Sequence, residues 1–415
     1  MERRLLFILG IGGYLLLLLI TILHHQAPLF DEPLFVRNLY LFDAEGLSRK
    51  FLLDMNDQAP GPLYQLIHYP LYFITHWQTP GIRLVNTVFL GIITWMLTRI
   101  IRNLYQLPLS DTWLAALNII AVPMIWQVSG MALTEIPPVL FSLLSAWCFI
   151  TAVQSSPRNN SKSILFAIFA GISCGIAIIG RSPFLIMIPA AAAILIDSPK
   201  SRMRWMVFLV FSVCALAIAL PLFIVWKGLM PPKQAVIATG GFSIWHGILS
   251  FAYGAMVTII IAPRWFIFNK RILLSCGVTY ILLLILNLMV LDYTFAPMSE
   301  VLGRILPAAV SDIYPYLISP LLGTIAFYFV GCSLYRLWEN RENPVFCFLL
   351  CCGMLMLATS FAVTHLFSSR YVAQAAPFLL LVLVPYDRIN YAKLFRFAVG
   401  MCIGLLSLET YFLFR

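Results

Sequence analysis

Long apolar runs separated by short polar connections fill almost the whole chain. A helix that crosses the hydrocarbon core of a bilayer needs about 20 apolar residues, and most of the runs have that length. The pattern therefore predicts an all-α polytopic membrane protein. We place about thirteen spans, over residues 5–23, 82–101, 112–129, 136–153, 163–180, 182–197, 204–226, 243–262, 271–291, 316–335, 345–365, 371–385 and 397–413. The break between the fifth and sixth spans is set at Arg181-Ser182-Pro183, because proline interrupts helices.

The charge content indicates the same class of protein. Only 11% of the 415 residues are charged and 61% are hydrophobic, whereas a soluble domain carries roughly 25% charged residues. Such a chain has too little polar surface to cover a water-soluble globule. We predict a single transmembrane domain over residues 1–415, with no separate soluble domain after the last span. The first run is interpreted as a retained span, because His24-His25-Gln26 is not a small-residue cleavage site.

The formal charge of +10 does not indicate nucleic-acid binding, because Lys and Arg form small clusters between the apolar runs instead of one basic face. Basic residues favour the cytoplasmic side of a membrane, and their alternation predicts a cytoplasmic N-terminus. The largest outer loop is then 24–81, where the apolar residues recur at the spacing of amphipathic interfacial helices. The nine cysteines lie inside apolar runs and are interpreted as packing residues.

Acidic residues concentrate on the predicted outer side. Asp31 and Glu32 follow the first span, Asp57 precedes a rigid Pro60-Gly61-Pro62 turn, and Glu135 opens the fourth span before two prolines. A carboxylate held at the membrane surface is costly to dehydrate unless it is paired or used. Such a carboxylate could deprotonate an acceptor hydroxyl. The alternatives are helix capping by Asp31 or Glu135 and an ordinary loop position for Asp57.

Two arginines on the same side are candidates for binding a phosphate. Arg181 lies between two apolar runs without an acid nearby in sequence, and Arg370-Tyr371 lies in a very short connection before the twelfth span. A guanidinium group binds phosphate through two parallel hydrogen bonds. The alternatives are that Arg181 snorkels to the interface and that Arg370-Tyr371 is an ordinary interfacial anchor.

The order of these features along the chain resembles the GT-C glycosyltransferases. The shared features are an acidic pair after the first span, an acid before a proline-rich turn with the sequence PLY, an acid before proline at the fourth span, and the late Arg370-Tyr371…Ala376-Pro377 motif. The closest branch is that of the protein O-mannosyltransferases and aminoarabinose transferases. The resemblance covers most of the chain and is most specific in the first four spans. Many members carry a soluble domain after the last span, which is not expected here.

The resemblance implies a role for each candidate residue. Asp31 would be the catalytic base, with Glu32 beside it. Arg370 would face the phosphate of the donor, with Tyr371 next to it. The looser matches for the phosphate role are Arg181 and Lys227. A divalent cation, present in some members, would be bound by Asp57 and Glu135, and further candidate ligands are His365 and His246.

The predicted function is that of a glycosyltransferase. It would move a sugar from a polyprenyl-phosphate donor to an acceptor on the non-cytoplasmic face by a single displacement that inverts the anomeric configuration. The implied partners are the lipid-linked sugar, a glycan, lipid or protein acceptor, and membrane lipid. We expect a multi-pass protein, and we favour the bacterial plasma membrane over the endoplasmic reticulum.

Other classes of membrane protein predict different patterns. A transporter or flippase of lipid-linked saccharides should show inverted repeats and broken mid-span helices, and the sequence indicates neither. An O-antigen-ligase-type enzyme should carry its key residues in a large late loop, whereas here the large loop is the first. A structural scaffold would leave the outward bias of the acids unexplained.

Overall fold

The computed structural model describes residues 1–56, 60–156, 159–238, 240–293, 295–297, 303, 307–365 and 367–413. Within these ranges the regular structure is helical, with no strand. The predicted all-α fold is therefore confirmed. Of the predicted site residues, Asp57 lies outside the described ranges.

The N-terminal half contains the first span, four short helices of the first loop, and the tightly packed spans that follow. Its helices are α1 (Glu2–Leu23), α2 (Glu32–Glu45), α3 (Arg49–Asp54), α4 (Leu63–His68), α5 (Tyr72–Thr75), α6 (Gly81–Tyr105), α7 (Leu109–Ala116), α8 (Pro123–Gly130), α9 (Ile136–Ser155), α10 (Asn160–Gly180), α11 (Met187–Ala191) and α12 (Arg202–Trp226). A 3-10 turn over Leu117–Ala121 continues α7, and two more flank α11.

The C-terminal half adds seven helices. They are α13 (Pro232–Ala238), α14 (Ile244–Ile261), α15 (Lys270–Leu286), α16 (Ala308–Glu339), α17 (Pro344–Ala358), α18 (Arg370–Leu383) and α19 (Tyr391–Leu413). The stretch 24–81, predicted as the first outer loop, carries the short helices α2, α3, α4 and α5. The predicted helical structure of this loop is therefore present, while its side of the membrane and its interfacial position stay predictions.

The number of complete crossings is lower than predicted. Among the described residues, ten helices are long and apolar enough to cross a bilayer, and a bent pair, Leu109–Ala121 with Pro123–Gly130, gives an eleventh candidate. The sixth and twelfth predicted spans are shorter helices, Ser182–Leu195 and Arg370–Tyr386. Each of the thirteen runs is helical, but hydropathy alone does not distinguish a crossing from a short helix. The multi-pass architecture is confirmed, while the side on which the N-terminus lies stays a prediction.

The bend between α7 and α8 is a feature that the sequence did not indicate. The two parts of the pair meet at 78° at Val122, and Pro123 opens the second part. Proline lacks the donor that would continue the first helix. A broken helix of this kind was expected for transporters. Here it redirects the chain toward the segment that precedes α9.

Small residues allow the central helices to pack closely. α10 packs between α9 and α12, and a Cβ added to Gly171 or Gly175 on α10 would lie 2.5 Å from Cys214 Cβ or Ile218 Cβ of α12. Such glycines, one turn apart, bring membrane helices into backbone contact. On α19, Gly400 and Gly404 likewise allow close packing, against the Ala121 carbonyl and the Trp126 ring.

Three of these helices, α6, α9 and α10, connect two ends of the molecule. Helices of 25, 20 and 21 residues are roughly 30–37 Å long at 1.5 Å per residue. We call one end the site end; there the three helices terminate at Gly81, Ile136 and Gly180. We call the other the basic end; there they terminate at Tyr105, Ser155 and Asn160.

Candidate functional site

An ion pair joins residues from the two ends of the sequence. Arg370 Nη2 lies 2.8 Å from Asp31 Oδ2, with side chains that are 22% and 27% exposed. Asp31 occupies the position before α2, but its side chain makes no capping hydrogen bond there. The capping alternative for Asp31 is therefore not what the structure shows. Arg370 opens α18 and is held by a second contact, in which its Nε donates to Ser368 Oγ at 3.0 Å.

A second ion pair lies at the start of α9. Arg181 Nη1 donates to Glu135 Oε1 at 2.7 Å and to Thr134 Oγ1 at 3.0 Å. Glu135 is 2% exposed and Arg181 is 13% exposed. Glu135 precedes α9 but makes no capping hydrogen bond either. Arg181, which has no acid nearby in sequence, therefore finds its partner 46 residues earlier.

The two ion pairs belong to one cluster. The Arg181 Cζ atom lies 5.9 Å from the centre of the Tyr371 ring. The carboxylates of Asp31 and Glu135 both act electrostatically on Arg370, and all four charged groups act on the Tyr371 hydroxyl. We call this group the acid–arginine cluster; its members are Asp31, Glu135, Arg181, Arg370 and Tyr371. Five residues predicted separately from the sequence thus converge at the site end.

Glu32 departs from its predicted place beside the catalytic base. Its carboxylate is fully buried and accepts two hydrogen bonds from Arg83, at 2.8 and 2.6 Å. It also accepts from the backbone N–H of Leu29 at 2.8 Å and of Ala132 at 2.7 Å. Each oxygen of the Glu32 carboxylate therefore has two donors, and neither oxygen is accessible to an acceptor hydroxyl. We reassign Glu32 as a positioning residue.

The buried pair also fixes the segment that delivers Glu135. Residues 131–135 connect α8 to α9 and are buried throughout. A buried backbone needs hydrogen-bond partners, and α6 supplies them. Asn86 Nδ2 donates to the carbonyls of Met131 and Leu133 at 2.8 Å each, and Thr87 Oγ1 donates to Ser129 at 2.9 Å. Glu32, Asn86 and Thr87 together position the start of α9.

The short helix α4 packs against the cluster from the first loop. A Cβ added to Gly61 would collide with the Ile179 carbonyl, so the proline-rich turn touches the end of α10 next to Arg181. Burial raises the pKa of the Tyr64 hydroxyl well above its usual value, and the nearby Glu32 charge raises it further. His68 stacks on Tyr64 with ring centroids 4.0 Å apart. Complete burial lowers the pKa of His68 to about 3, so this imidazole is neutral.

Three predicted phosphate or metal residues do not join the cluster. Lys227 ends α12 in a left-handed conformation and is exposed, and within the described part of the chain its side chain has no ion pair with the cluster. His365 is exposed in the connection before α18. His246 contacts the Val363 carbonyl through Nδ1 at 2.6 Å.

The predicted metal site is not formed by the described residues alone. Among them there is no group of three or more His, Cys, Asp or Glu side chains placed to bind an ion. Glu135 retains one buried oxygen, Oε2, without a hydrogen-bond partner in the described ranges. However, the Arg181 guanidinium beside it would repel a cation. The divalent cation stays a prediction.

Several residues of this region were not identified from the sequence. Arg83 lies within a predicted span, and the only available signal was a charge at its first turn. The end of α19 also reaches the site: Glu409 pairs with His24 at 3.4 Å, and the Tyr411 ring lies 4.5 Å from that of Phe30. Gln374, one turn after Arg370, is 1% exposed, and its amide atoms have no partner among the described residues.

Comparisons with known proteins bear on the fold. A family model of dolichyl-phosphate-mannose-protein mannosyltransferases matches residues 59–226. No curated protein sequence matches the chain. The oligosaccharyltransferase of Archaeoglobus fulgidus is structurally similar: its apo form gives a TM-score of 0.50 at 13% identity over 97% of this chain. Its complex with Zn and sulfate gives 0.51 at 12% identity over the same share.

The chain spans just over half the length of these archaeal chains, 55% and 52% of them. Identities this low show a shared fold and not a shared activity. The matched residues 59–226 include Glu135 and Arg181 but neither Asp31 nor Arg370. The family model over residues 59–226 and the shared fold agree with the family resemblance predicted from the sequence.

Proposed function

We propose that this chain, a GT-C-type membrane protein by its fold and family match, is a glycosyltransferase that moves a sugar from a polyprenyl-phosphate donor to a glycan, lipid or protein acceptor. The observation that carries the proposal is the Asp31–Arg370 ion pair at 2.8 Å, which is partly exposed at the site end. A carboxylate beside a guanidinium supplies a base for the acceptor and a cation for the donor phosphate. The family description supports a prenyl-phosphate-linked donor.

In the proposed reaction, Asp31 accepts the proton of the acceptor hydroxyl as its oxygen attacks the anomeric carbon. Asp31 is suited to this role because its side chain is 27% exposed and one of its oxygens is 2.8 Å from Arg370. Glu32 is excluded from it by its four hydrogen bonds. The neighbouring acids therefore have separate tasks: Asp31 reacts, and Glu32 positions.

The donor phosphate is proposed to lie against Arg370, with Arg181 as the second cation. As the bond between the anomeric carbon and the phosphate oxygen breaks, negative charge develops on the departing phosphate, and fixed cations stabilise it. Glu135 orients Arg181 through the contact at 2.7 Å. A single displacement of this kind inverts the anomeric configuration. The divalent cation predicted at Asp57 and Glu135 stays a prediction, and none of these steps is assigned to it.

The proposal is tested by transfer of a labelled sugar from a polyprenyl-phosphate donor in reconstituted membranes. Asp31→Asn removes the base, and transfer should fall by roughly 10²–10⁴-fold. The matched control is Asp43→Asn, which neutralises an exposed acid of the same loop outside the cluster. Transfer by Asp31→Asn at the rate of the control would remove Asp31 from the reaction.

A transporter of lipid-linked saccharides remains the competing class, and the bend between α7 and α8 is the observation in its favour. A transporter should carry its polar site near the bilayer midplane. The acid–arginine cluster instead lies where α6, α9 and α10 end. Movement of a labelled lipid-linked sugar across vesicles without any glycosidic product would favour transport over transfer.

A further inference from the structure

A large polar cavity opens at the basic end, away from the acid–arginine cluster. Its volume is about 960 Å³, and it lies between the last turns of α6 and α9 and the first turn of α10. We call it the basic pocket. The lining residues that the argument uses are Arg99, Arg102, Lys162, Asn103, Gln154 and Trp147.

The cations of the basic pocket share one cavity that no carboxylate of the described chain enters. Four other basic residues of the chain are paired: Arg3 with Asp111 at 2.8 Å, Arg204 with Asp197 at 2.8 Å, Arg336 with Glu339 at 2.7 Å and Lys393 with Asp387 at 3.1 Å. Arg264, Lys270 and Arg271 have no ion pair among the described residues either, but they do not line this pocket. Within the described part of the chain, Arg99, Arg102 and Lys162 have no carboxylate partner, and no acid lines the pocket. The pocket therefore concentrates positive charge that the protein itself does not neutralise.

The pocket is also partly organised. Arg99 lies over the Trp95 ring at 5.3 Å and Lys162 over the Phe166 ring at 5.9 Å, so rings on their own helices support both side chains. Asn103 Nδ2 donates to Gln154 Oε1 at 3.0 Å and ties α6 to α9. The first turn of α10 carries no acid, so its helix dipole adds to the attraction for an anion.

We infer that the basic pocket binds the phosphate headgroup of an anionic phospholipid in the leaflet at this end. A general preference for basic residues in cytoplasmic loops accounts for their presence, but not for three unpaired cations around one cavity. The pocket lies at the ends of membrane-spanning helices, where lipid headgroups are found, and its lining includes Trp147, a side chain suited to the interface. Basic pockets between membrane helices bind phospholipid headgroups in this way.

The inference does not depend on the proposed transferase activity, because the pocket and the cluster lie at opposite ends of α6, α9 and α10. Since the lipid would bridge these three helices at one end, its binding should stabilise the assembly that holds Arg83, Glu135 and Arg181 at the other. The readout is therefore lipid retention and thermal stability and not sugar transfer.

The test compares the intact protein in nanodiscs of phosphatidylcholine with and without phosphatidylglycerol. Retained phosphatidylglycerol is counted by native mass spectrometry, and the unfolding temperature is measured in parallel. Arg99→Gln/Arg102→Gln/Lys162→Gln should weaken retention by about 100-fold, at roughly fivefold per cation. The matched control is Arg264→Gln/Lys270→Gln/Arg271→Gln, which removes three exposed cations from the same end outside the pocket.

The expected result is saturable retention and a raised unfolding temperature in the wild type and the control, and loss of both in the pocket variant. Equal loss in the control would mean general surface attraction and would overturn the inference. Equal stabilisation by inorganic phosphate in phosphatidylcholine alone would assign the pocket to a free anion instead. If the triple variant does not fold, Arg102→Gln alone should still lower retention about fivefold, and unchanged retention would contradict the inference.

Discussion

Two ion pairs, adjacent in sequence through Asp31 and Glu32, differ in burial and in the hydrogen bonds of their carboxylates. Glu32 and Arg83 are both fully buried, and Glu32 accepts four hydrogen bonds. Asp31 and Arg370 are 27% and 22% exposed, and the carboxylate of Asp31 makes no capping bond to α2. The protein itself supplies all the hydrogen bonds of the Glu32 carboxylate. The Asp31–Arg370 pair is accessible to a ligand.

The proposed function assigns a structural role to Glu32 and a reactive role to Asp31, and this difference in burial supports that assignment. A buried pair with complete hydrogen bonding is strongly coupled to the fold, because removing one partner leaves an uncompensated charge. A partly exposed pair contributes less to stability, because water screens the two charges. We therefore expect substitutions of the two pairs to give opposite patterns: lost stability around Glu32 and lost transfer around Asp31.

The largest effect on transfer is expected from Asp31→Asn. With the base removed, transfer should fall by roughly 10²–10⁴-fold, while the free energy of unfolding changes by less than about 1 kcal/mol, because the pair is partly exposed and water screens it. Initial rates and thermal unfolding of the same preparation measure both. A loss of stability that matches the loss of transfer would mean that Asp31 is structural like its neighbour.

The opposite pattern is expected from Glu32→Gln. This change leaves the Arg83 guanidinium buried beside a neutral amide, and it should lower the free energy of unfolding by about 3–5 kcal/mol. The double variant Glu32→Gln/Arg83→Met removes both charges and should recover part of that loss. Transfer per folded molecule should stay within a few-fold of the wild type, as determined by active-site titration against the folded fraction. A double variant no more stable than the single one would contradict the account of this pair.

The cation of the open pair is tested by Arg370→Gln and Arg370→Lys. Loss of the charge that faces the developing phosphate should lower transfer by roughly 10²–10³-fold. Lys keeps the charge but not the paired donors of the guanidinium, so its rate should fall between those of Gln and the wild type. Equal rates for the Gln and Lys variants would show that the charge itself is not what the reaction uses.

The smallest expected effect is on the pH dependence of stability, and it arises from the buried His68 next to Tyr64. His68 is buried and neutral, and its pKa of about 3 in the folded state lies below the ordinary value of 6.5. A lowered folded-state pKa gives stability that is fully present above pH 6.5 and is lost as the pH falls toward 3, at up to about 1.4 kcal/mol per pH unit. Thermal unfolding between pH 7 and pH 4.5 should therefore depend on pH less steeply in His68→Phe than in the wild type.

The matched control for this measurement is His25→Gln, which removes an exposed histidine just after α1. Its pH dependence should equal that of the wild type. If His68→Phe and His25→Gln behave alike, the acid sensitivity arises outside the region packed around Glu32.

The sequence predicted the membrane class, the positions of the helical runs and five members of one cluster. The length of an apolar run and the basic residues next to it are properties of one segment. They can therefore be recognised in the sequence without knowing the fold. The pairing of Arg181 with Glu135 and of Arg370 with Asp31 depends on helices meeting in space, and neither the residue pattern nor the family resemblance predicted these partners. Arg83 was missed because a buried arginine looks the same in sequence as one that snorkels to the interface.

The same limit explains where the structure differs from the predictions. Lys227 was matched to the phosphate role through the family resemblance; it is exposed at the end of α12 and outside the cluster, and its role stays a prediction. The predicted spans around Pro123 and Pro183 are a bent pair and a short helix. A proline shows where a helix is interrupted but not where the chain goes next.

The most direct measurement is an experimental structure of the protein with a polyprenyl monophosphate in lipid. The account predicts phosphate oxygens within about 4 Å of the Arg370 guanidinium, Arg181 on the same side of the phosphate, and the Glu32–Arg83 pair unchanged. A phosphate bound elsewhere, with the Asp31–Arg370 contact intact, would contradict it.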